Sequence, residues 1–344
     1  MNGHNIDREE YNQILDIIKL KVTEKFEFPP EVIRINDIVV ATLGNFSASV
    51  GKPKSKKTFN VSAIVASALS GKQVLNYNVS LPEGRKKVLY IDTEQSRCHC
   101  HKVMIRILEM AGLPTDREED RLTFLLLREY TPKQRRQIIN YALDADKEYG
   151  LVIIDGCRDL LFDINDPTES VDVINDLMRW SSYYNLHIHT VLHLNKGDDQ
   201  IRGHIGTELA NKAETVLQVS KSSFDSNISE VKPMQVREKE FEPFAFHIND
   251  DGLPELVKKY SFEQGQQTTK NMITNEDHIK ALSIVFANGS VSGFKELIEA
   301  MQKAYAAIGY KRGRSVCINL YKFLIERKLV SKNGNQYTLN EDLL

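Results

Sequence analysis

Cysteine is scarce: four in 344 residues do not make a disulfide framework, so a reducing cytoplasm is the expected location. No stretch of about 18 apolar residues runs uncharged, which leaves no candidate membrane span. The amino-terminal MNGHNIDREEYNQ is polar and mixed in charge, unlike a signal peptide. An excess of either charge is also missing. Lys and Arg number 45 against 47 Asp and Glu, a formal charge of −2, which excludes a uniformly basic coat but not a local basic face. What is present is 41% hydrophobic and 27% charged sequence. That is the composition of a globular protein, and the length leaves room for two domains or one large domain with an appendage.

Residues 1–35 read as a helical lead-in, with a helix over Tyr11–Val22 and a stop at Pro29-Pro30. From about 36 to 258, short β-branched runs alternate with amphipathic stretches, which predicts an α/β fold with a mainly parallel sheet. The expected strands are Phe46–Val50, Lys87–Asp92, Leu122–Leu126, Leu151–Asp155, His187–Leu192 and Thr215–Val219. Most are apolar almost throughout, as strands covered on both faces are. Thr131-Pro132 with Gln134, and Asp166-Pro167 with Glu169, carry the cap, the N1 proline and the acidic or amide partner that begin helices. Ser229–Val236 and Pro243–Ile248 lack an intervening helix and should extend one edge as a hairpin.

The sharpest motif is Gly51-Lys52-Pro53-Lys54-Ser55-Lys56-Lys57-Thr58. It follows a strand and opens a helix over Phe59–Leu69, the context that gives a phosphate loop its meaning. N–H groups at a helix start point at an anion, and the helix dipole adds to the attraction. Lys57 would reach the β- and γ-phosphates and the Thr58 hydroxyl would ligate Mg²⁺. The usual pattern wants glycine where this chain has Lys56; a positive φ there costs a lysine on the order of 1–2 kcal/mol. Taken alone, GKPKSKK reads equally as a solvated basic loop. Three strand ends decide between the two. Glu94, after YIDT, is a candidate general base for an attacking water. Asp155 ends LVIID and suits the Mg²⁺ shell. His193 and Asn195, in HLN, are polar groups able to sense a γ-phosphate. All of these fall at carboxyl ends of parallel strands, where such sheets bind ligands.

The succession GKPKSKKT, YIDTEQS, LVIIDG and HLNKGDDQIRGHIGTEL resembles RecA-like P-loop ATPases over about residues 30–250. It is most similar to RepA-type replicative helicases and the AAA-family ATPases of bacterial mobile elements. The resemblance implies a phosphate cradle of Gly51, Lys52, Pro53, Lys54, Ser55, Lys56, Lys57 and Thr58, with ATP and Mg²⁺ as cofactors. It implies Glu94 as catalytic base, Asp155 as the Walker B acid, and His193 and Asn195 at the sensor position. It further implies a homo-oligomer such as a hexameric ring, in which a neighbour's arginine completes each site. Relatives carry that arginine in a Lys-x-Arg pair on a late strand. Here Arg237 matches and Gln235 replaces the lysine, with Arg202 the competing finger or else a DNA contact. The loop from Lys196 to His204 would face a channel holding single-stranded DNA, with Lys196 and Arg202 as contacts; an ordinary surface loop has the same composition.

Residues 259–274 are polar and glutamine-rich, the composition of a linker. In 275–344 three helical stretches precede a hairpin signal at Asn333-Gly334, the order of a winged helix-turn-helix. This segment has ten Lys and Arg against seven Asp and Glu, a charge of +3, and leaves 35 against 40, or −5, in residues 1–274. Lys311, Arg312 and Arg314 open the third helix and Lys332 sits in the wing, placed for phosphate contacts. A winged helix used for protein contacts would look the same. Cys98-His99-Cys100-His101 does not have the spacing of a structural zinc site on a helix, and Trp180 reads as core. The expected protein is an ATP-driven DNA helicase or translocase of a mobile element. The alternative is an ATP-switched DNA-binding regulator or scaffold that does not unwind.

Overall fold

In a computed structural model of the chain, the residues described are 8–25, 28–195, 201–222, 225–257, 260, 262, 273, 275–310 and 313–340. In chain order the elements begin with α1 (Arg8–Ile18), β1 (Glu31–Ile35), β2 (Ile38–Thr42), β3 (Phe46–Gly51), α2 (Lys57–Ser70), β4 (Tyr77–Val79), β5 (Lys87–Asp92) and α3 (Arg97–Ala111). There follow β6 (Leu122–Leu126), α4 (Pro132–Ala145), β7 (Tyr149–Asp155), α5 (Pro167–Tyr183), β8 (His187–His193), α6 (Gly203–Lys212) and β9 (Thr215–Lys221). An antiparallel run of β10 (Ile228–Val236), β11 (Phe244–Ile248) and β12 (Pro254–Leu256) closes this part. The carboxyl-terminal elements are α7 (Asn275–Val285), β13 (Ser290–Ser292), α8 (Phe294–Ala307), α9 (Arg314–Glu326), β14 (Val330–Asn333) and β15 (Gln336–Leu339).

The central sheet has the order β12-β11-β10-β9-β3-β8-β7-β5-β6. From β9 to β6 the pairing is parallel, and β10–β12 add an antiparallel edge. The fold is therefore α/β with a mostly parallel sheet, as the alternation of elements predicts. Period-2 alternation sends side chains of each strand to different helices. Phe46, Ala48 and Val50 with Leu89, Ile91, Val152 and Ile154 form a core that also holds residues of α4, α5 and α6, including Trp180. Val88, Tyr90, Leu151 and Ile153 belong to a second core with α2 and α3. The Thr131 capping box and the Asp166 cap are both formed.

The lead-in differs from the sequence expectation. The helix covers Arg8–Ile18 rather than Tyr11–Val22. Residues 31–35 form β1, whose Val32, Ile33 and Ile35 are buried in the α2–α3 core. β1 pairs on one side with β2 and on the other with β4. The turn signal is Asn36-Asp37 between β-branched runs, with Asn36 at φ 51°. At the other end, α7, α8 and α9 share a separate core with Val330 and Tyr337, beside a sheet of order β13-β15-β14. Strand β13 was not anticipated. Most of the 259–274 stretch lies outside the described residues, but its ends are anchored: the Tyr260 hydroxyl donates to Glu230 and accepts from the Ser222 hydroxyl (2.8 Å), and Ile273 is buried among α7–α9 residues.

One feature of the α2 face is polar and continuous. His187 Nδ1–H donates to the Thr42 carbonyl (2.8 Å), so its Nε2 accepts from the Ser47 hydroxyl (2.7 Å). Ser47 Oγ accepts from His189 Nδ1–H (2.8 Å), and His189 Nε2 accepts from Ser49 (2.8 Å). Asn60 of α2 donates to Ser49 Oγ (3.4 Å) and accepts from Tyr77 (2.9 Å). The carbonyl at one end can only accept, so one proton arrangement satisfies every member with both imidazoles neutral. Burial lowers His187 to about 4 and His189 to about 3, the latter helped by His187. These are bases with depressed folded values. Their stabilising contribution is complete above the unfolded value near 6.5 and is lost as pH falls toward 4, because only the unfolded chain takes up the protons. Urea unfolding should show stability falling over that window, and His189→Gln should remove about 1.4 kcal/mol per pH unit from the slope. An unchanged slope would contradict the neutral arrangement.

Candidate nucleotide-binding site

Parallel register brings the expected residues to one edge of the sheet. Gly51 lies opposite His193, Asp155 opposite Val191, and Asp92 opposite Asp155. The chain leaves β3 at Gly51, where a Cβ would lie 2.1 Å from the Val219 carbonyl oxygen and 2.6 Å from Ser55 Oγ. Only glycine fits this approach. Lys54 (φ 64°) and Lys56 (φ 70°) both take the left-handed conformation before α2 begins at Lys57. Lys56 therefore carries the strain expected of a lysine in a glycine position, on the order of 1–2 kcal/mol. Its ammonium does not turn into the loop but donates to the Asn227 carbonyl between β9 and β10.

Lys57 is only 6% exposed. Its Nζ donates to the carbonyls of Gly51 (2.8 Å) and Lys52 (3.1 Å) and to His193 Nδ1 (3.1 Å). Burial pulls its pKa down to about 8 against the attraction of Asp155 and Glu94. The next residue, Thr58, donates to Asp155 Oδ2 (2.9 Å), and the buried Tyr90 hydroxyl donates to the same oxygen (3.0 Å). Burial, with the charge of Asp92 behind it, raises Asp155 to about 6 although both hydrogen bonds oppose the rise. Asp92 turns the chain instead of facing a ligand: it accepts from the N–H groups of Glu94 (3.0 Å) and Gln95 (2.7 Å). Gly156 follows Asp155 at φ 114°, where a Cβ would strike Thr93 Oγ1 at 2.0 Å.

Glu94 is thereby presented at the cavity with its Oε1 3.7 Å from His193 Nε2. The His193 contact, then Lys57 and Arg158, hold its carboxyl below the ordinary value in spite of burial. Because Lys57 donates to Nδ1, the imidazole presents Nε2–H toward Glu94. Lys57, His193 and Glu94 thus form a connected row. They line a cavity of about 420 Å³ together with Lys54, Ser55, Lys56, Thr58, Asp155 and one face of α3. That face carries His99, Lys102 and Arg106, and the Arg106 guanidinium stacks over the Phe59 ring at 3.7 Å. A groove of about 820 Å³ between α4 and α5 is larger, but it holds Arg136 and Arg179 already paired with Asp176 and no phosphate loop.

The residues present fit a Mg·triphosphate. The first N–H groups of α2 have no intrahelical acceptor, and Lys56 supplies no side-chain cap. Ser55 Oγ is buried within the loop without a hydrogen-bond partner among the described residues. Thr58 and Asp155 present the hard oxygen ligands Mg²⁺ prefers.

The remaining expected residues are not gathered here. Asn195 is half-buried and does not line the cavity. Arg202 is exposed at the start of α6, its backbone N–H donating to the His193 carbonyl (3.1 Å). Arg237 donates to the Lys212 carbonyl (2.9 Å); it follows Val236, which pairs with Thr215, opposite Ser47 near the other end of β3. Lys196, Lys311 and Arg312 lie outside the described residues. Arg314 and Lys332 are exposed on α9 and β14. Sequence reasoning missed Tyr90 and the basic face of α3, although His99, Lys102 and Arg106 recur at helical spacing.

A family model described as AAA domain matches residues 19–199. No curated protein matches the chain. Among solved structures, the RadB recombinase is similar at 17% identity and a TM-score of 0.45, covering 63% of this chain and 92% of that one.

The two shifted groups set a pH window. With Asp155 raised to about 6 and Lys57 lowered to about 8, a Mg²⁺ ion held by Asp155 would be lost on protonation below the first value, and a phosphate bound by Lys57 would require reprotonation of the amine above the second. Mg·ATP affinity should be highest between these values and fall by up to about tenfold per pH unit outside them. Lys57→Arg should abolish the alkaline limb, since arginine stays charged. A Kd constant from pH 5 to 9 would contradict this reading.

Proposed function

The chain belongs to the AAA domain family, and from that premise and the loop geometry we propose that it is a Mg²⁺-dependent ATPase whose turnover drives movement along or unwinding of DNA, in the manner of the RepA-type helicases its motifs resemble. The observation that carries the reading is the convergence of Lys57, Thr58, Asp155 and Glu94 on one cavity at the carboxyl edge of the sheet. Lys57 gives up its bonds to its own loop carbonyls and donates to phosphate oxygens. Thr58 and Asp155 would hold Mg²⁺, which when bound would supply the charge that offsets the triphosphate. Glu94, kept ionised beside His193, takes the proton of the attacking water. His193 holds that carboxylate in line through Nε2–H.

The DNA part of the proposal is supported by the carboxyl-terminal elements. Three helices with a three-stranded antiparallel sheet suit a winged helix-turn-helix, with Arg314 at the head of α9, Lys311 and Arg312 just before it in the sequence, and Lys332 on the wing. Lys196 and Arg202 flank the loop that would meet single-stranded DNA inside a ring of copies of this chain. A cytoplasmic location accords with the free cysteines and with the lack, among the described residues, of any helix long and apolar enough to cross a membrane.

A second reading is favoured by Arg237. Its guanidinium is engaged by the Lys212 carbonyl, at the end of the sheet away from the cavity. If no arginine reaches a neighbour's site, ATP would switch DNA binding or assembly without unwinding. Phosphate release separates the two: single-stranded DNA should stimulate it strongly in the motor, and strand displacement should follow. Glu94→Gln should lower turnover by about 10²–10⁴-fold with Mg·ATP affinity kept within a few fold. Absence of turnover with and without DNA would sink the ATPase. Neutralising Lys311, Arg312 and Arg314 together should weaken DNA binding and reduce its salt slope by up to about three units; unchanged binding would remove the carboxyl-terminal module from the interface.

A further inference from the structure

Lys56 links the phosphate loop to a distant turn. Its backbone holds a left-handed conformation that glycine adopts at no cost, and its side chain spans from the cavity wall to the Asn227 carbonyl. The turn it reaches is closed by short local bonds. Ile228 N–H donates to the Asp225 carbonyl (3.0 Å), Asn227 N–H to Asp225 Oδ1 (2.8 Å), and Ser222 N–H to the Ile228 carbonyl (2.9 Å). On the far side of the same turn, the Tyr260 hydroxyl donates to Glu230 and accepts from the Ser222 hydroxyl. Tyr260 lies just past β12, on the stretch of chain that leads to α7. One row of contacts therefore runs from the phosphate loop through the β9–β10 turn to the tether of the carboxyl-terminal module.

The ammonium is poorly placed where it rests. Partial burial and the neighbouring Lys221 disfavour its charge, and Asp225 only partly compensates. A neutral carbonyl is a weaker acceptor for an ammonium than a phosphate oxygen. The cavity built for that phosphate is the one Lys56 already lines.

We propose that Lys56 is a phosphate-responsive latch: without nucleotide it pins the β9–β10 turn through the Asn227 carbonyl, and a bound triphosphate draws the ammonium away and frees the turn together with its hold on Tyr260. The inference rests on the reading of Gly51–Thr58 as a triphosphate loop. A lysine replaces glycine here because the side chain does work that offsets the backbone strain.

Hydrogen exchange on the full chain tests it, with and without a Mg²⁺-bound non-hydrolysable ATP analogue, in parallel with direct binding of that analogue. In the native chain, amides of residues 225–230 should exchange about fivefold faster when the analogue is bound, the scale of one lost hydrogen bond. Lys56→Gly, which relieves the strain and keeps a loop able to fold, should show the fast exchange already without nucleotide and no further response. Lys56→Gln, a neutral donor, should keep the turn protected in both states. If the analogue binds and the turn does not respond, or if Lys56→Gly responds like the native chain, the latch is wrong and the phosphate reading survives. If the native chain does not bind the analogue at all, the phosphate reading falls and takes the latch with it.

Discussion

Everything at the site depends on the parallel register of β3, β8, β7 and β5. Gly51 beside His193, Asp155 beside Val191 and Asp92 beside Asp155 put the ends of four strands at one level. A slip of one residue would send the Thr58 partner and the Glu94 turn to the wrong face. The register is protected by burial on both sides of these strands and, on the α2 face, by the hydrogen-bonded row from Thr42 to Tyr77. That row joins β3 to β8 and reaches Asn60, one turn beyond Lys57. The polar core and the phosphate loop are thus mechanically one unit.

Charge within the unit is arranged so that each group is satisfied only in part. Lys57 is buried beside the carbonyls of Gly51 and Lys52 and the His193 ring, and burial disfavours its charge. Asp155 is raised first by burial and then by the charge of Asp92, which makes it a weak acid. Under the proposed function, ligands of opposite sign, a polyphosphate and Mg²⁺, would relieve both conditions together. Lys54 and Lys56 both take the left-handed conformation, a local backbone cost, and the Lys56 ammonium reaches the Asn227 carbonyl far along the chain.

Much of this was legible in the sequence because it is written in short local patterns. The apolar strands ending in Asp92, Asp155 and His193, the Thr131 and Asp166 caps and the GKPKSKKT loop each carry their own signal. Strand β1 was hidden because Pro29-Pro30 suggested the end of a lead-in, whereas the Asn36-Asp37 turn marks a hairpin joined to the core. His187 and His189 gave no sign of pairing with Ser47 and Ser49, since cross-strand partners are set by register alone. Tyr90 reads as core until Asp155 is placed beside it. Arg237 matched a motif position, but only the fold showed that its guanidinium caps α6 at the opposite edge.

Under the proposed function, a loop with lysine in the glycine position encloses a triphosphate. Calorimetric titration of Mg·ATP into the native chain and into Lys57→Ala at pH 7 tests it most directly. The account predicts measurable binding by the native chain, weakened on the order of a hundredfold, about 3 kcal/mol, when the buried ammonium is removed. Equal binding by both chains, or none by the native chain, would contradict it.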